Sequence, residues 1–445
     1  MNSLNMMKSG SKSDLNGQDI ESVARCYPVQ VNVSKKYSDI ATKFIPFGQS
    51  VCFVPIDSDE ALKRATLVRS DPSLIGVSRR NIATEDGQYL WEYVAPNGET
   101  IDEVEPIKRW NSLGLPPAWS DVWICPNARG HIQATGRDAK GRLQYRYHTD
   151  WTEVTTEMKY DDVVYFASQL PRLRKQVEFD LESKKMTLHT VSALVVRLID
   201  MYNIRVGSDE YAKSNESYGL TTLKSMHLKH IKGDEAEGRH DAVFSFTGKS
   251  DKDWQITIED DHLVDLILKT NRLGSKNADL FMYISDAGNE VDLKAEHINQ
   301  YIRATSGEGF TAKNFRTWSA TSHCAERLAF LSEPHNAKEM KSWVRKLPAV
   351  ESVQKLWDGN DWSVPDSEFS KNKTMLAVID TVAADLGNTR AVCRSSYIHP
   401  WFLDAWMNES LHEKWQEYSE MRRISGLSQG ESTTLRILKD LRSGN

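Results

Sequence analysis

Two different rhythms of apolar and polar residues divide this chain. Between about Ser73 and Asp150, short apolar stretches are broken by glycine, proline, asparagine and aspartate, the punctuation of short strands. The segment DVWICPNARGHIQATGRDAKGRLQYRYH predicts three strands joined by the turns PNARG and RDAKG, which close on Gly130 and Gly141. On the third strand Leu143, Tyr145 and Tyr147 share one face, and Gln144 and Arg146 the other. Beyond about Val163 the rhythm becomes helical. In HTVSALVVRLIDMYNIRVG, the residues Val191, Leu194, Val195, Leu198 and Tyr202 recur at helical spacing. Arg205 falls three residues after Tyr202, which puts it on the same inward stripe, where a charge is costly unless paired.

Inside the helical part, residues 242–258 break the pattern and predict a hairpin. Phe244 and Phe246 alternate on its first strand, Trp254, Ile256 and Ile258 on its second, and Gly248-Lys249 opens the turn. A helix is expected through LAVIDTVAADL, ending at Gly387, with one or two more after Pro400. The chain therefore reads as α+β: a small β-rich region at about 71–155, then a larger, mainly helical region at about 160–410 that contains the hairpin. Residues 1–70 form a polar extension with one strand-like piece, VCFVPI; residues 331–370, rich in proline and tryptophan, read as a possible insertion, and residues 411–445 as a helical tail.

Composition adds exclusions. No apolar run approaches the roughly 20 residues of a membrane span, and no apolar stretch of the secretory kind follows the polar start. Five widely spaced cysteines imply neither a disulfide framework nor a zinc cluster, so reduced thiols in the cytoplasm are expected. The net charge of −6 does not by itself favour a nucleic-acid partner. Locally the balance inverts: from Arg129 to Tyr147, Arg129, Arg137, Lys140, Arg142 and Arg146 face one acid, Asp138.

Taken singly, none of the chemically able residues distinguishes itself from a packing or surface residue. Their order does. GLPPAWSDVWICPNARGHIQATGRDAKGRLQYRYH, LVVRLIDMYNIRVGSDEYAKSNESYGLTTLK, FSFTGKSDK, FTAKNFRTWSAT and VAADLGNTRAVCRSSYIHP follow one another along the chain. Together these five blocks resemble the bacterial, poxvirus-like type IB DNA topoisomerases. The resemblance implies that Tyr397 is a nucleophile forming a 3′-phosphotyrosyl link, and that Arg205 and Arg316 grip the scissile phosphate. It implies that Lys249 protonates the leaving 5′ oxygen, and that Asn388 hydrogen-bonds the phosphate where poxvirus enzymes carry a histidine. Arg142, Tyr145 and Tyr147 resemble DNA-contacting residues of the family's N-terminal domain.

Chemistry agrees with that assignment. Arginine donates bidentately to phosphate and stays charged, which suits the negative charge growing in phosphoryl transfer. A tyrosine phenol costs about 4 kcal/mol to ionise at pH 7, a cost that guanidinium neighbours lower. The expected partner is double-stranded DNA, handled by a monomer, with no ATP, metal or other cofactor and no membrane. No phosphate-binding glycine loop and no compact acidic cluster appears in the sequence. Two rivals remain open. A tyrosine site-specific recombinase shares the Arg, Lys, Arg and Tyr chemistry, but usually has histidine where this chain has Lys313. A catalytically decayed DNA-binding protein is the other. The sequence also departs from the poxvirus pattern at Ser250, where an acid normally follows the lysine.

Overall fold

The computed structural model describes residues 58–83, 89–209, 212–213, 216–232, 240–249, 252–275, 278–307, 309–357 and 364–443. VCFVPI, Ser250 and Trp362 lie outside them.

The N-terminal part opens with helix α1 (Ser58–Arg64) and an antiparallel pair, β1 (Ser78–Ala83) and β2 (Tyr89–Val94). Helix α2 (Val104–Ser112) follows, and then the three predicted strands, β3 (Ser120–Ile124), β4 (Ile132–Arg137) and β5 (Leu143–Tyr147). They form one antiparallel sheet in that order, with Trp123 opposite Thr135 and Thr135 opposite Tyr145. A small core of Val77, Tyr93, Trp110, Val122, Ile124 and Ala134 holds these elements together. The turn that joins β4 to β5 needs its glycine, since Gly141 has φ +75°.

Helix α3 (Thr149–Leu181) leaves β5 directly, and α4 (Leu188–Tyr202) returns against it. A second sheet then interrupts the helices: β6 (Leu228–Lys232), β7 (His240–Gly248) and β8 (Lys252–Ile258), antiparallel in that order. The expected two-stranded hairpin is thus the outer part of a three-stranded sheet, because β6 pairs along β7 from Leu228 opposite Phe244. Helix α5 (Asp261–Asn271), the short pair β9 (Met282–Ile284) and β10 (Glu290–Asp292), α6 (Ala295–Ser306) and α7 (Ala312–Phe330) follow. The 331–370 stretch contributes α8 (Ala337–Val344) and α9 (Glu351–Trp357). Its tryptophans join the packing: Trp343 stacks on Phe330 at 4.8 Å and meets Trp357 edge-on at 5.3 Å. Helix α10 (Glu368–Asp385) ends as expected before Gly387, which has φ +59°. The chain closes with α11 (Arg390–Ser396), α12 (Pro400–Met407), α13 (Ser410–Ser419) and α14 (Gln429–Ser443). Three helices from Pro400 onward, rather than one or two, complete the α+β fold.

The helical part has one continuous core running from Tyr160 to Leu438. Val191, Leu194, Val195 and Leu198 are all at most 1% exposed, and burying a side chain of this size contributes roughly 1.5–3 kcal/mol. The tail belongs to this core. Gly426 (φ +84°) lies against Pro171 inside α3, and Glu431 of α14 accepts from Arg174 at 2.8 and 2.9 Å. Arg174 also holds Asp200 at 2.8 Å, and Trp318 Nε1 donates to Glu431 at 2.9 Å. One arginine thereby joins α3, α4 and α14, while Glu431 reaches α7.

Candidate active site

The inward-stripe expectation for Arg205 needs correction. Asn203 adopts a left-handed conformation (φ 55°) and ends α4, so Arg205 lies past the helix in an extended loop. That loop is pinned to a neighbouring segment: Leu220 N donates to Arg205 O at 2.9 Å and Thr221 N to Val206 O at 2.7 Å. The glycine of IRVG has a reason, since Gly207 sits at φ +101° directly against Gly219. A Cβ on Gly219 would fall 2.6 Å from Arg205 O. The Arg205 side chain donates to Asn388 Oδ1.

Arg316, on the second turn of α7, is 3% exposed. It donates to Asn203 O and, at 2.7 Å, to Leu386 O. These carbonyls belong to the C-terminal ends of α4 and α10, where helices leave acceptors unpaired and partial negative charge accumulates. A buried cation is tolerated there because two helix termini receive it. Burial and the nearby Arg205 push the Arg316 guanidinium down to about 10, so it remains charged at neutral pH. Its Nε has no partner among the described residues.

Asn388 is oriented by chemistry rather than by choice. Arginine has only donors, so its contact must be the amide oxygen, and the NH2 group then points elsewhere as a donor. That Nδ2 is buried without a partner among the described residues. The adjacent loop is tied to the second sheet: Lys252 Nζ donates to Asn388 O at 2.9 Å, and Trp254 occupies the space a Cβ on Gly387 would need. Lys249 is exposed on the turn after β7 of that sheet.

Tyr397 is the residue at the end of α11, and its ring centre is 5.5 Å from the Arg316 guanidinium carbon. A cavity of about 300 Å³ is lined by Arg205, Lys249, Arg316 and Tyr397, together with Tyr218 and Lys313. Four of the expected site residues thus share one cavity, and Asn388 meets it through Arg205. Sequence reasoning used Lys313 only to weigh a recombinase; its position three residues before Arg316 on one helix face was the available signal.

The DNA-contact candidates lie elsewhere, Tyr145 and Tyr147 on β5 and Arg142 in the turn before it. Leu143, Tyr145 and Tyr147 face outward, each close to 45% exposed. Tyr145 stacks on Tyr147 at 5.8 Å, and Tyr147 on Trp151 at 6.5 Å. Arg142 pairs with Asp138 at 2.7 Å within its own turn. Much of the basic stretch serves the local fold, since Arg129, Arg137 and Arg146 donate to the carbonyls of Thr66, Gly141 and Gly114. Two histidines, His323 and His399, also have structural partners. His323 faces Asp385 at 3.3 Å, and burial with the nearby Lys159 pushes His399 down to about 4.

Comparison with known proteins decides the family. Residues 148–423, more than half of the chain, match the model of the eukaryotic DNA topoisomerase I catalytic core. The chain belongs to the type IB DNA topoisomerases. Residues 90–138 of this topoisomerase match the N-terminal domain of bacterial DNA topoisomerase IB. The DNA topoisomerase 1B of Acanthamoeba polyphaga mimivirus is 29% identical over 328 residues, covering 73% of this chain and 86% of the relative. DNA topoisomerase 1 of Drosophila melanogaster is 24% identical over 234 residues, 52% of this chain and 22% of that longer protein. No helix among the described residues is long and apolar enough to cross a membrane.

Proposed function

We propose that this topoisomerase relaxes supercoiled duplex DNA by nicking one strand through Tyr397, letting the free end rotate, and resealing the nick. The observation that carries this reading is the single cavity in which Tyr397 meets Arg205, Arg316 and Lys249, brought from widely separated segments. In cleavage, Tyr397 Oη bonds to the scissile phosphorus as its phenolic proton passes to solvent water. The bond from phosphorus to the 5′ oxygen breaks, and the Lys249 ammonium protonates that oxygen. Arg205, Arg316 and the free Asn388 amide donate to the nonbridging oxygens, where charge grows. Religation runs the same steps backwards, so the phosphotyrosyl bond conserves the energy of the phosphodiester and no ATP is needed. All these groups come from one chain, which fits a monomer. The outward face of β5 and the helical part would clamp the duplex between them, with Tyr145, Tyr147 and Arg142 against the DNA.

The test is relaxation of a supercoiled plasmid in EDTA without ATP, quenched with SDS to trap covalent complexes. Relaxation with a 3′-linked adduct that disappears in Tyr397→Phe is expected. An adduct or relaxation that persists in Tyr397→Phe removes the nucleophile assignment.

A further inference from the structure

The turn that carries Tyr397 is held in an unusual way. Three successive carbonyls, those of Ser396, Tyr397 and Ile398, each accept a hydrogen bond from a side chain of another helix. Lys159 Nζ of α3 donates to Ser396 O at 3.2 Å, and Tyr160 Oη of the same helix donates to Ile398 O at 2.5 Å. Thr321 Oγ1 of α7 donates to Tyr397 O at 3.0 Å, and the same oxygen receives His399 N at 3.2 Å. Carbonyls at a helix end ordinarily find water or a glycine-based cap. Here no glycine follows α11, and side chains perform that task from both sides of Tyr397.

The holding groups are themselves fixed. Tyr160 is 5% exposed and packs against the His399 ring at 4.7 Å, while the Lys159 ammonium lies 4.1 Å from the Tyr160 ring centre. Burial, aided by Lys313, pushes Lys159 down to about 8, which agrees with a cation packed behind the cavity's own cations. Thr321 is fully buried and sits on the helix that carries Arg316, five residues further along.

We infer that Lys159, Tyr160 and Thr321 are positioning residues that set where the Tyr397 hydroxyl stands relative to Arg316. This rests on the nucleophile reading above. None of the three touches the reacting atoms; they act through the backbone of Tyr397. A nucleophile displaced by about 1 Å can lose on the order of a hundredfold in rate. Because Tyr397 is the attacking group in cleavage and the leaving group in religation, its misplacement slows both directions alike.

Single-turnover cleavage and religation rates, duplex affinity and the unfolding midpoint of the full-length protein test this. In Tyr160→Phe, which keeps the ring and loses the donor, both rates should fall by the same roughly 10–100-fold. The cleavage equilibrium and duplex affinity should stay unchanged. Thr321→Val should behave likewise, and Thr321→Ser should recover most of the lost rate. Lys159→Met, at the rim of the cluster, should show the same paired slowing even where Tyr160→Phe folds poorly. Normal rates per folded molecule in Tyr160→Phe and Lys159→Met, with only a lowered unfolding midpoint, would overturn the inference and reduce the contacts to packing. Slowing of cleavage alone would overturn it too. An adduct that survives in Tyr397→Phe is a separate result, which defeats the nucleophile reading itself.

Discussion

The cavity around Arg316 and the outward face of β5 both present cations and aromatic rings, yet they are built on opposite principles. Arg316 is 3% exposed, and two of its nitrogens are held by the ends of two helices before any ligand arrives, which leaves its Nε free to donate. Arg205 is fixed by a backbone pairing that requires two glycines in contact. On β5, Tyr145 and Tyr147 stand about 45% exposed, and the nearest candidate cation, Arg142, is already paired to Asp138 in its own turn. A charge held in a dry, preset frame acts strongly on chemistry because little solvent screens it and nothing reorganises. An exposed face acts through area, stacking and screened charge, and so governs affinity. The first should therefore show in rates at saturating DNA, the second in dissociation constants.

The sharpest way to break that division is Arg316→Lys. Charge is retained but the planar fork is lost, and a single ammonium cannot reach Asn203 O, Leu386 O and a phosphate together. Single-turnover cleavage should fall by roughly 10³-fold, with duplex affinity changed much less. Near-normal cleavage would show that charge alone suffices there, and the idea of a preset fork would fail.

The contact between Arg174 and Glu431 provides the control: buried, bidentate and outside the lining of the cavity. Burial alone would raise the Glu431 carboxyl, but the Arg174 hydrogen bonds hold it below its ordinary value. Removing one partner of such a pair costs about 3–5 kcal/mol, so Glu431→Ala should lower the unfolding midpoint strongly. Cleavage per folded molecule should hardly change. Because the folded value is depressed, this contribution is complete above the ordinary carboxylate value of roughly 4.3 and fades as pH falls through the folded value. Stability measured from pH 6 down to pH 3 should consequently fall less steeply in Glu431→Gln than in the native protein. An equal slope would assign acid sensitivity to other carboxylates.

Much of this arrangement can be read in the sequence, and the gaps follow from what local pattern encodes. The three strands up to Tyr147 were legible because alternation and glycine turns are local signals, as was the helix stop at Gly387. The membership of Arg205, Lys249, Arg316 and Tyr397 in one cavity was legible only through resemblance, since periodicity says nothing about which distant segments meet. Arg205 was misplaced because helical spacing continues through Asn203, and one left-handed residue ends α4 without a proline or glycine to announce it. The helical character of the tail was legible but its packing was not, because Glu431 has meaning only opposite Arg174, more than two hundred residues earlier. The carbonyl partners of Arg129 and Arg146 could not be read for the same reason, since Thr66 and Gly114 lie far off in sequence.

On the exposed face the effects should be smaller and of a different kind. Tyr145→Ala and Tyr147→Ala together remove a stacked pair. If the rings meet DNA, affinity should fall at least about thirtyfold, at roughly 1 kcal/mol or more for each of the two aromatic contacts. The cleavage rate at saturating duplex should stay within about twofold. A collapse of that rate at saturation would mean that β5 shapes the cavity as well as the grip.

The smallest change expected is at Arg142, and it turns on Asp138. Hydrogen bonding to Arg142 holds the Asp138 carboxyl down at about 2, so the acid is ionised at every working pH and competes with any phosphate for the guanidinium. Arg142→Ala should then weaken binding only modestly. Its signature is the salt dependence: a lost phosphate contact lowers the slope of log affinity against log salt by about 0.9. Asp138→Asn should do the opposite, releasing Arg142 toward the DNA and tightening binding most at low salt. A slope unchanged in both variants would leave Arg142 as a turn residue that serves Asp138 alone, and the grip on this face would then belong to the tyrosines.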